Sequence, residues 1–353
     1  MTQQPLQLYA VFHLNLAYSS IDEDQRALVI QKCYWPLVRL AKALQLPLGI
    51  EATGYTLEVA AGIDPRWVDE LRELVTDGPC EFVGSGYAQL IGPLVPAMVN
   101  VMNLRLGHQV YEQLLGVRPV IGFVNEQAYS SGLVPHYLDA QYDGIIMEWE
   151  NAAHGHPEWD PAWQYAPQVA CGPSEEEILV VWNRTLAFQK FQRYVHGEMT
   201  RDDFVDYLDQ HRSTMPRIFP LYGNDAEIFG FRPGRYPTEA PLHPDGEWTR
   251  IQQLFEILKS DERWRLIQPS DALTFNNIPV AGNRLHLESA ISPIPVKKQA
   301  KYNVLRWGVT GRNDAHINAA CWRIHEALFH SSSTRNEDWR ELCYLWSSDF
   351  RTH

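Results

Sequence analysis

Of the 43 acidic side chains in this sequence, Glu126 and Asp225 stand out by position. Each follows an apolar run that reads as a β-strand, PVIGFVN before Glu126 and IFPLYGN before Asp225. A carboxylate held at a strand end can act as nucleophile, general acid or general base, according to which proton it keeps. Other groups with chemical capacity fall at comparable places: His13 and Asn15, Glu51, the run Gly84-Ser85-Gly86-Tyr87, Glu148-Trp149-Glu150, Asn183 and Glu227. All of them belong on one rim if the strands run parallel, because parallel barrels put their functional groups on the loops after the strands.

The elements that must position these groups are short apolar runs alternating with longer amphipathic ones, the pattern of repeated βα units. Strands are predicted at Leu8–His13, Leu46–Glu51, Cys80–Gly84, Val120–Val124, Gly144–Trp149, Ile178–Asn183, Ile218–Tyr222 and Arg265–Gln268. Helical segments lie near 22–44, 65–77, 96–115, 129–140, 200–213 and 247–260. Within the first, Leu28, Val29, Leu37, Leu40, Ala41 and Leu44 recur at helical spacing. Nearly every strand run is apolar throughout, which suits a closed parallel barrel. The alternative, a doubly wound sheet, lacks its usual G-x-G-x-x-G after the first strand.

The expected fold is therefore α/β, a distorted (β/α)-type barrel over 1–270. Residues 151–177, rich in Pro, Gly and Trp, read as an irregular loop over its mouth. Residues 271–353 read as an appended C-terminal helical subdomain, with Trp307, Trp322, Trp339 and Trp346 in its core. The stop at His353, just after ELCYLW, is what a piece of a longer polypeptide would show.

Composition excludes several classes. The net charge of −13 provides no basic footprint for nucleic acid or an anionic membrane. Cys33, Cys80, Cys171, Cys321 and Cys343 are widely spread with no CxxC pair, so neither a disulfide framework nor a zinc–cysteine site is indicated. No membrane-length apolar run and no signal-peptide pattern occur, so a cytoplasmic protein is expected. No cofactor or metal is called for, and oligomeric state is not legible.

Four ordered segments carry a resemblance: HLNLAY (13–18), VGSGYAQLIGPLVP (83–96), GFVNEQAYSSGLVP (122–135) and YGNDAEIFGF (222–231). They resemble the motifs of glycoside hydrolase family 57, and the Asp-x-Glu-x-Phe-Gly pattern at 225–230 is the most specific of them. The resemblance implies a seven-fold (β/α) barrel followed by helices. It also implies a retaining α-glycoside hydrolase or transglycosidase acting on an oligo- or polysaccharide. Matched residue by residue, Glu126 falls on the family's nucleophile and Asp225 on its general acid/base. Retention needs such a pair ~5 to 5.5 Å apart, one carboxylate ionised and one acid protonated, with like-charge proximity raising the acid's pKa. His13 matches the family's first motif and would bind the sugar or orient the nucleophile.

Substrate contacts are then expected from His13, Asn15, Glu51, Tyr87, Trp149, Arg232 and Arg235. The first motif departs from the usual His-x-His-x-Pro, reading His13-Leu14-Asn15-Leu16-Ala17. Arg232 and Arg235 raise an acidic sugar as substrate, since a guanidinium forks a carboxylate. The plainer reading has them pairing with Glu227 and Glu239 or shaping a Pro-Gly turn. Trp149, Trp159, Trp163 and Trp182 offer faces for sugar stacking, although Trp149 suits the core equally well. Two other functions remain open: a non-catalytic glycan-binding protein on the same barrel, and a metal-dependent carbohydrate deacetylase or mannosidase-like enzyme.

Overall fold

The computed structural model describes residues 3–232, 246–287, 306–311, 313–331 and 335–351. The strands, in chain order, are β1 (Leu6–Leu14), β2 (Gly49–Ala52), β3 (Glu81–Val83), β4 (Ile121–Phe123), β5 (Gly144–Glu148), β6 (Gln168–Cys171), β7 (Glu177–Asn183), β8 (Arg217–Asp225), β9 (Trp264–Leu266) and β10 (Arg284–Leu285). One sheet runs β3-β2-β1-β8, with β9 also on β1, and the other runs β10-β6-β7-β5-β4. All pairings are parallel except β6 with β7.

Two seams close these sheets into a barrel whose wall is β1, β2, β3, β4, β5, β7 and β8. At the first, a parallel bridge joins Gly84 to Gly122. At the second, the Asn183 amide donates to Gly223 O at 2.8 Å. A side chain on Gly223 would put its Cβ 2.2 Å from Asn183 Oδ1, so only glycine lets the strands approach there.

Alternation sorts the side chains. On β1, Leu8, Ala10, Phe12 and Leu14 face the helical layer, in a core with Val38, Leu71, Leu106 and Phe255. Tyr9 and Val11 face the barrel interior with Val83, Ile121, Ile146, Val181 and Ile218. His13 is next in that inward row.

The register between β1 and β8 shifts after Tyr9, where Tyr9 pairs with Pro220 but Ala10 pairs with Tyr222. Leu221 is thus the extra residue of a bulge. Because the strand period is two, this insertion turns Asp225 rather than Asn224 onto the face of His13.

The segment expected as an irregular loop over 151–177 is partly regular. It holds a helix at Trp149–Gly155 and a 3-10 turn at Pro161–Tyr165. β6 then turns back on β7 through a bend in which Gly172 N donates to Glu176 O at 2.7 Å. After residue 270, the 3-10 stretch Ser270–Asn277 and β10 still pack on the barrel, and helices Asp314–His330 and Asn336–Leu345 follow. Cys321, Trp339, Leu342, Cys343 and Trp346 join the same core as the barrel's outer layer, and Trp307 is buried beside Ile91 and Ala128. Trp322, expected in that core, is 45% exposed. Among the described residues, no helix is long and apolar enough to cross a membrane.

Candidate active site

Three adjacent parallel strands set Glu51, His13 and Asp225 at one level, since His13 pairs in register with Glu51 on β2 and with Asp225 on β8. His13 Nδ1 meets Glu51 Oε2, and His13 Nε2 lies 4.0 Å from Asp225 Oδ1. Exposure rises along this row, from 0% for Glu51 through 12% for His13 to 51% for Asp225. The Gln89 amide is assigned with its nitrogen 2.6 Å from His13 Nε2. Burial pulls the His13 pKa down to about 4, with the Glu126 charge opposing. His13 is therefore neutral through the physiological range.

Glu126 follows β4 on the 3-10 turn Asn125–Gln127, where Glu126 and Gln127 have φ of 52° and 57°. Two successive left-handed residues, neither of them glycine, are costly and persist only where the surroundings impose them. Asn125 supplies part of that constraint by donating to Ser85 O at 2.8 Å. The Ser85–Ala88 loop is fixed in turn by Asn103, whose Oδ1 accepts from Ala88 N at 2.8 Å. Gly86 makes this possible: its φ is 96°, and a Cβ there would lie 2.3 Å from Asn103 Nδ2.

Glu126 and Asp225 share a neighbourhood even though the chain sets them far apart. Both charges act on Asp349, and His13 feels Glu126 while lying close to Asp225. Asp349 arrives from beyond the last helix. Leu90 bridges to Ser347, and Ser348 N donates to Gln89 O at 2.8 Å, which pins this C-terminal stretch to the loop beside His13. Burial first, then the charges of Glu126 and Asp225, push the Asp349 carboxyl up to about 7. Glu227, also buried, is pushed up to about 7 by burial and by Asp225. Its Oε1 accepts from Asn15 N at 2.7 Å and from the Tyr34 hydroxyl. Both shifts favour the protonated acids, which add no further negative charge to the pair.

The sequence places Glu227 at the rim and offers it only as an ion partner for an arginine, although the Asp-x-Glu spacing is a signal for a place beside Asp225. Asp349 carried no signal, sitting in a polar C-terminal stretch with no strand before it.

The remaining expected contacts are placed as follows. Asn15 is buried; its Nδ2 donates to Asp349 Oδ1 at 2.8 Å and its Oδ1 accepts from Ala17 N, so it holds the loop and Asp349. Glu51 lies behind His13 and meets that ring. Tyr87 is buried, with its hydroxyl donating to Glu58 at 2.9 Å and Arg340 over its ring. Trp149 is buried edge-to-face on Trp182, 5.1 Å between centroids, in a cluster with Trp159 and Trp163. Arg232 is not paired with Glu227 through its side chain. Its guanidinium meets Glu247 and His196, and only its backbone N–H reaches Glu227 O. Arg235 lies outside the described residues. A surface groove of about 670 Å³, lined by Trp35, Asp64, Arg66 and Glu70 among others, includes none of the catalytic candidates.

The chain is similar to several known proteins. The chain is 21% identical over 248 residues to an alpha-amylase of Pyrococcus furiosus, covering 67% of this chain and 34% of that protein. It is 21% identical over 330 residues to alpha-amylase 1 of Dictyoglomus thermophilum, covering 89% of this chain and 45% of that one. It thus spans less than half the length of these curated relatives. The crystal structure of a 4-alpha-glucanotransferase from Thermococcus litoralis superposes with a TM-score of 0.74 at 15% identity, covering 96% of this chain and 55% of that one, and so shares its fold. Residues 10–282 match the family model of glycosyl hydrolase family 57, and the chain belongs to that family.

Proposed function

We propose that this protein is a retaining α-glycoside hydrolase or transglycosidase of oligo- or polysaccharides, with Glu126 as nucleophile and Asp225 as general acid/base. The observation that supports this reading is that Asp225 lies 4.0 Å from His13 while the charge of Glu126 acts on His13 and the charges of both carboxylates act on Asp349. Membership of the family supports it. The division into a catalytic barrel over 1–270 and a helical subdomain over 271–353 belongs to the same proposal. On this account the subdomain serves the site, because it brings Asp349.

In the first step the Glu126 carboxylate attacks the anomeric carbon while Asp225 gives its proton to the departing glycosidic oxygen. The C–O bond to the leaving sugar breaks as the ester to Glu126 forms. In the second step Asp225, now a carboxylate, takes a proton from water or from a sugar hydroxyl, which attacks the anomeric carbon and frees Glu126. Water yields hydrolysis and a sugar hydroxyl yields transfer. Because Asp225 must begin protonated, the rate of the glycosylation step falls as pH rises above its pKa.

Glu126→Gln and Asp225→Asn test the assignment. Both should keep the fold and lose turnover, followed on neutral and uronate-containing α-glycans. The uronates enter the screen for the acidic-sugar reading, which rests on Arg232 and Arg235; the Arg232 guanidinium also meets Glu247. A folded wild type that binds glycans yet turns over none of them would favour the non-catalytic binding reading instead.

A further inference from the structure

The row of side chains behind the proposed acid/base contains a residue that the mechanism above does not use. Glu51 is fully buried, reaches no open space, and has its Oε1 without a hydrogen-bond partner. A buried carboxyl with an orphaned oxygen destabilises a fold unless its other contacts compensate. Its other oxygen, Oε2, meets the His13 ring at Nδ1.

We propose that Glu51 is a positioning residue that holds His13 in the Nδ1–H form, so that the Nε2 lone pair faces Asp225 and Gln89. This inference rests on the assignment of Asp225 as acid/base. With Glu51 accepting at Nδ1, the opposite nitrogen is an acceptor. Gln89, assigned with its amide nitrogen 2.6 Å from Nε2, is placed to donate to it. An acceptor lone pair 4.0 Å from Asp225 Oδ1 favours the protonated carboxyl that the first step needs. The opposite tautomer would aim an N–H at Asp225 and favour its carboxylate. Burial, which drives the His13 pKa down to about 4, removes the charged imidazolium from competition. Register builds the arrangement: Glu51, His13 and Asp225 occupy matched positions on three neighbouring strands, so the row needs no loop to assemble it.

Glu51→Met is the test, because it fills the space and removes the acceptor. The ring nitrogens of His13, assigned by comparison with His13→Gln, are read by 15N NMR between pH 6 and 8. Wild type should show the proton on Nδ1, and Glu51→Met should move it to Nε2. The variant should lose about 10²-fold in kcat with KM little changed, a size typical of general acid–base assistance. It should also melt at or above the wild-type temperature, whereas a purely structural Glu51 would lower it.

A wild-type His13 carrying its proton on Nε2 overturns the proposal, even if the variant fails to fold. A folded Glu51→Met with wild-type kcat overturns it too. Failure of the underlying assignment shows separately, as an Asp225→Asn that retains full activity whatever the tautomer of His13.

Discussion

Replacing Asp349 with Asn should stabilise the protein, and by an amount that depends on pH. The carboxyl is buried and faces Glu126 and Asp225, so its pKa rises from 3.8 in the unfolded chain to about 7. The sign follows from linkage. Folded-state pKa lies above the unfolded value, so the folded chain binds the proton more tightly, and this contribution to stability is lost as pH rises toward 7. From pH 5 to pH 7 the unfolded chain is ionised at this position while the folded chain largely keeps its proton. At about 1.4 kcal/mol per pH unit, the wild type loses about 2 kcal/mol over that interval from this group alone.

Asparagine has nearly the same shape, offers Asn15 Nδ2 the same acceptor, and does not titrate. The stability of Asp349→Asn minus that of wild type should therefore grow by about 2 kcal/mol between pH 5 and pH 7 and level off above it. Urea unfolding followed by tryptophan fluorescence at pH 5, 6, 7 and 8 measures this, provided both proteins share one m-value. A difference that stays flat with pH, or shrinks, would refute the claim that the folded chain buries this acid in the field of Glu126 and Asp225.

Other outcomes follow from the same geometry. Arg232→Met leaves buried Glu247 without its guanidinium and should cost about 3–5 kcal/mol in chemical unfolding. That cost should be greatest above about pH 5. Glu247 has a lowered pKa, so the stability it contributes is present above its unfolded value and lost as pH falls through the folded one. Gly86→Ala forces a side chain into left-handed backbone against Asn103 and should cost about 1–3 kcal/mol, with activity falling along with it. Trp149→Ala should lower stability by about 3–5 kcal/mol. It should leave the KM of the folded fraction unchanged, since the ring is buried and packed edge-to-face on Trp182; a large rise in KM would show that Trp149 contacts substrate.

What could be seen in advance was whatever short-range pattern encodes. The apolar strand runs lie where the wall strands form, and the groups after β1, β4 and β8 fall near one another because parallel strands end at one rim. Side-chain direction was less legible. Asp225 faces His13 only because Leu221 is bulged, and nothing in IFPLYGN announces that insertion. Residue type alone does not say which other parts of the chain a side chain will touch. Tyr87, Trp149 and Arg232 have the chemistry of sugar ligands, yet each is buried on a protein partner. Long-range placement was the least accessible. Asp349 reaches the pair because Ser347 and Ser348 pair with Leu90 and Gln89, a backbone contact with no sequence signature. The hairpin of β6 on β7 is not legible because the four residues Gln168–Cys171 are too few to show alternation.

The most direct measurement is the intact mass of Asp225→Asn incubated with an α-glycosyl fluoride of the sugar that the activity screen selects. Fluoride leaves without a proton, so the first step proceeds, while the second lacks its base. A covalent adduct of one glycosyl unit should accumulate, and peptide mapping should place it on Glu126. An adduct on another side chain, or rapid turnover to free sugar with the anomeric configuration inverted, would contradict the assignment of these two carboxylates.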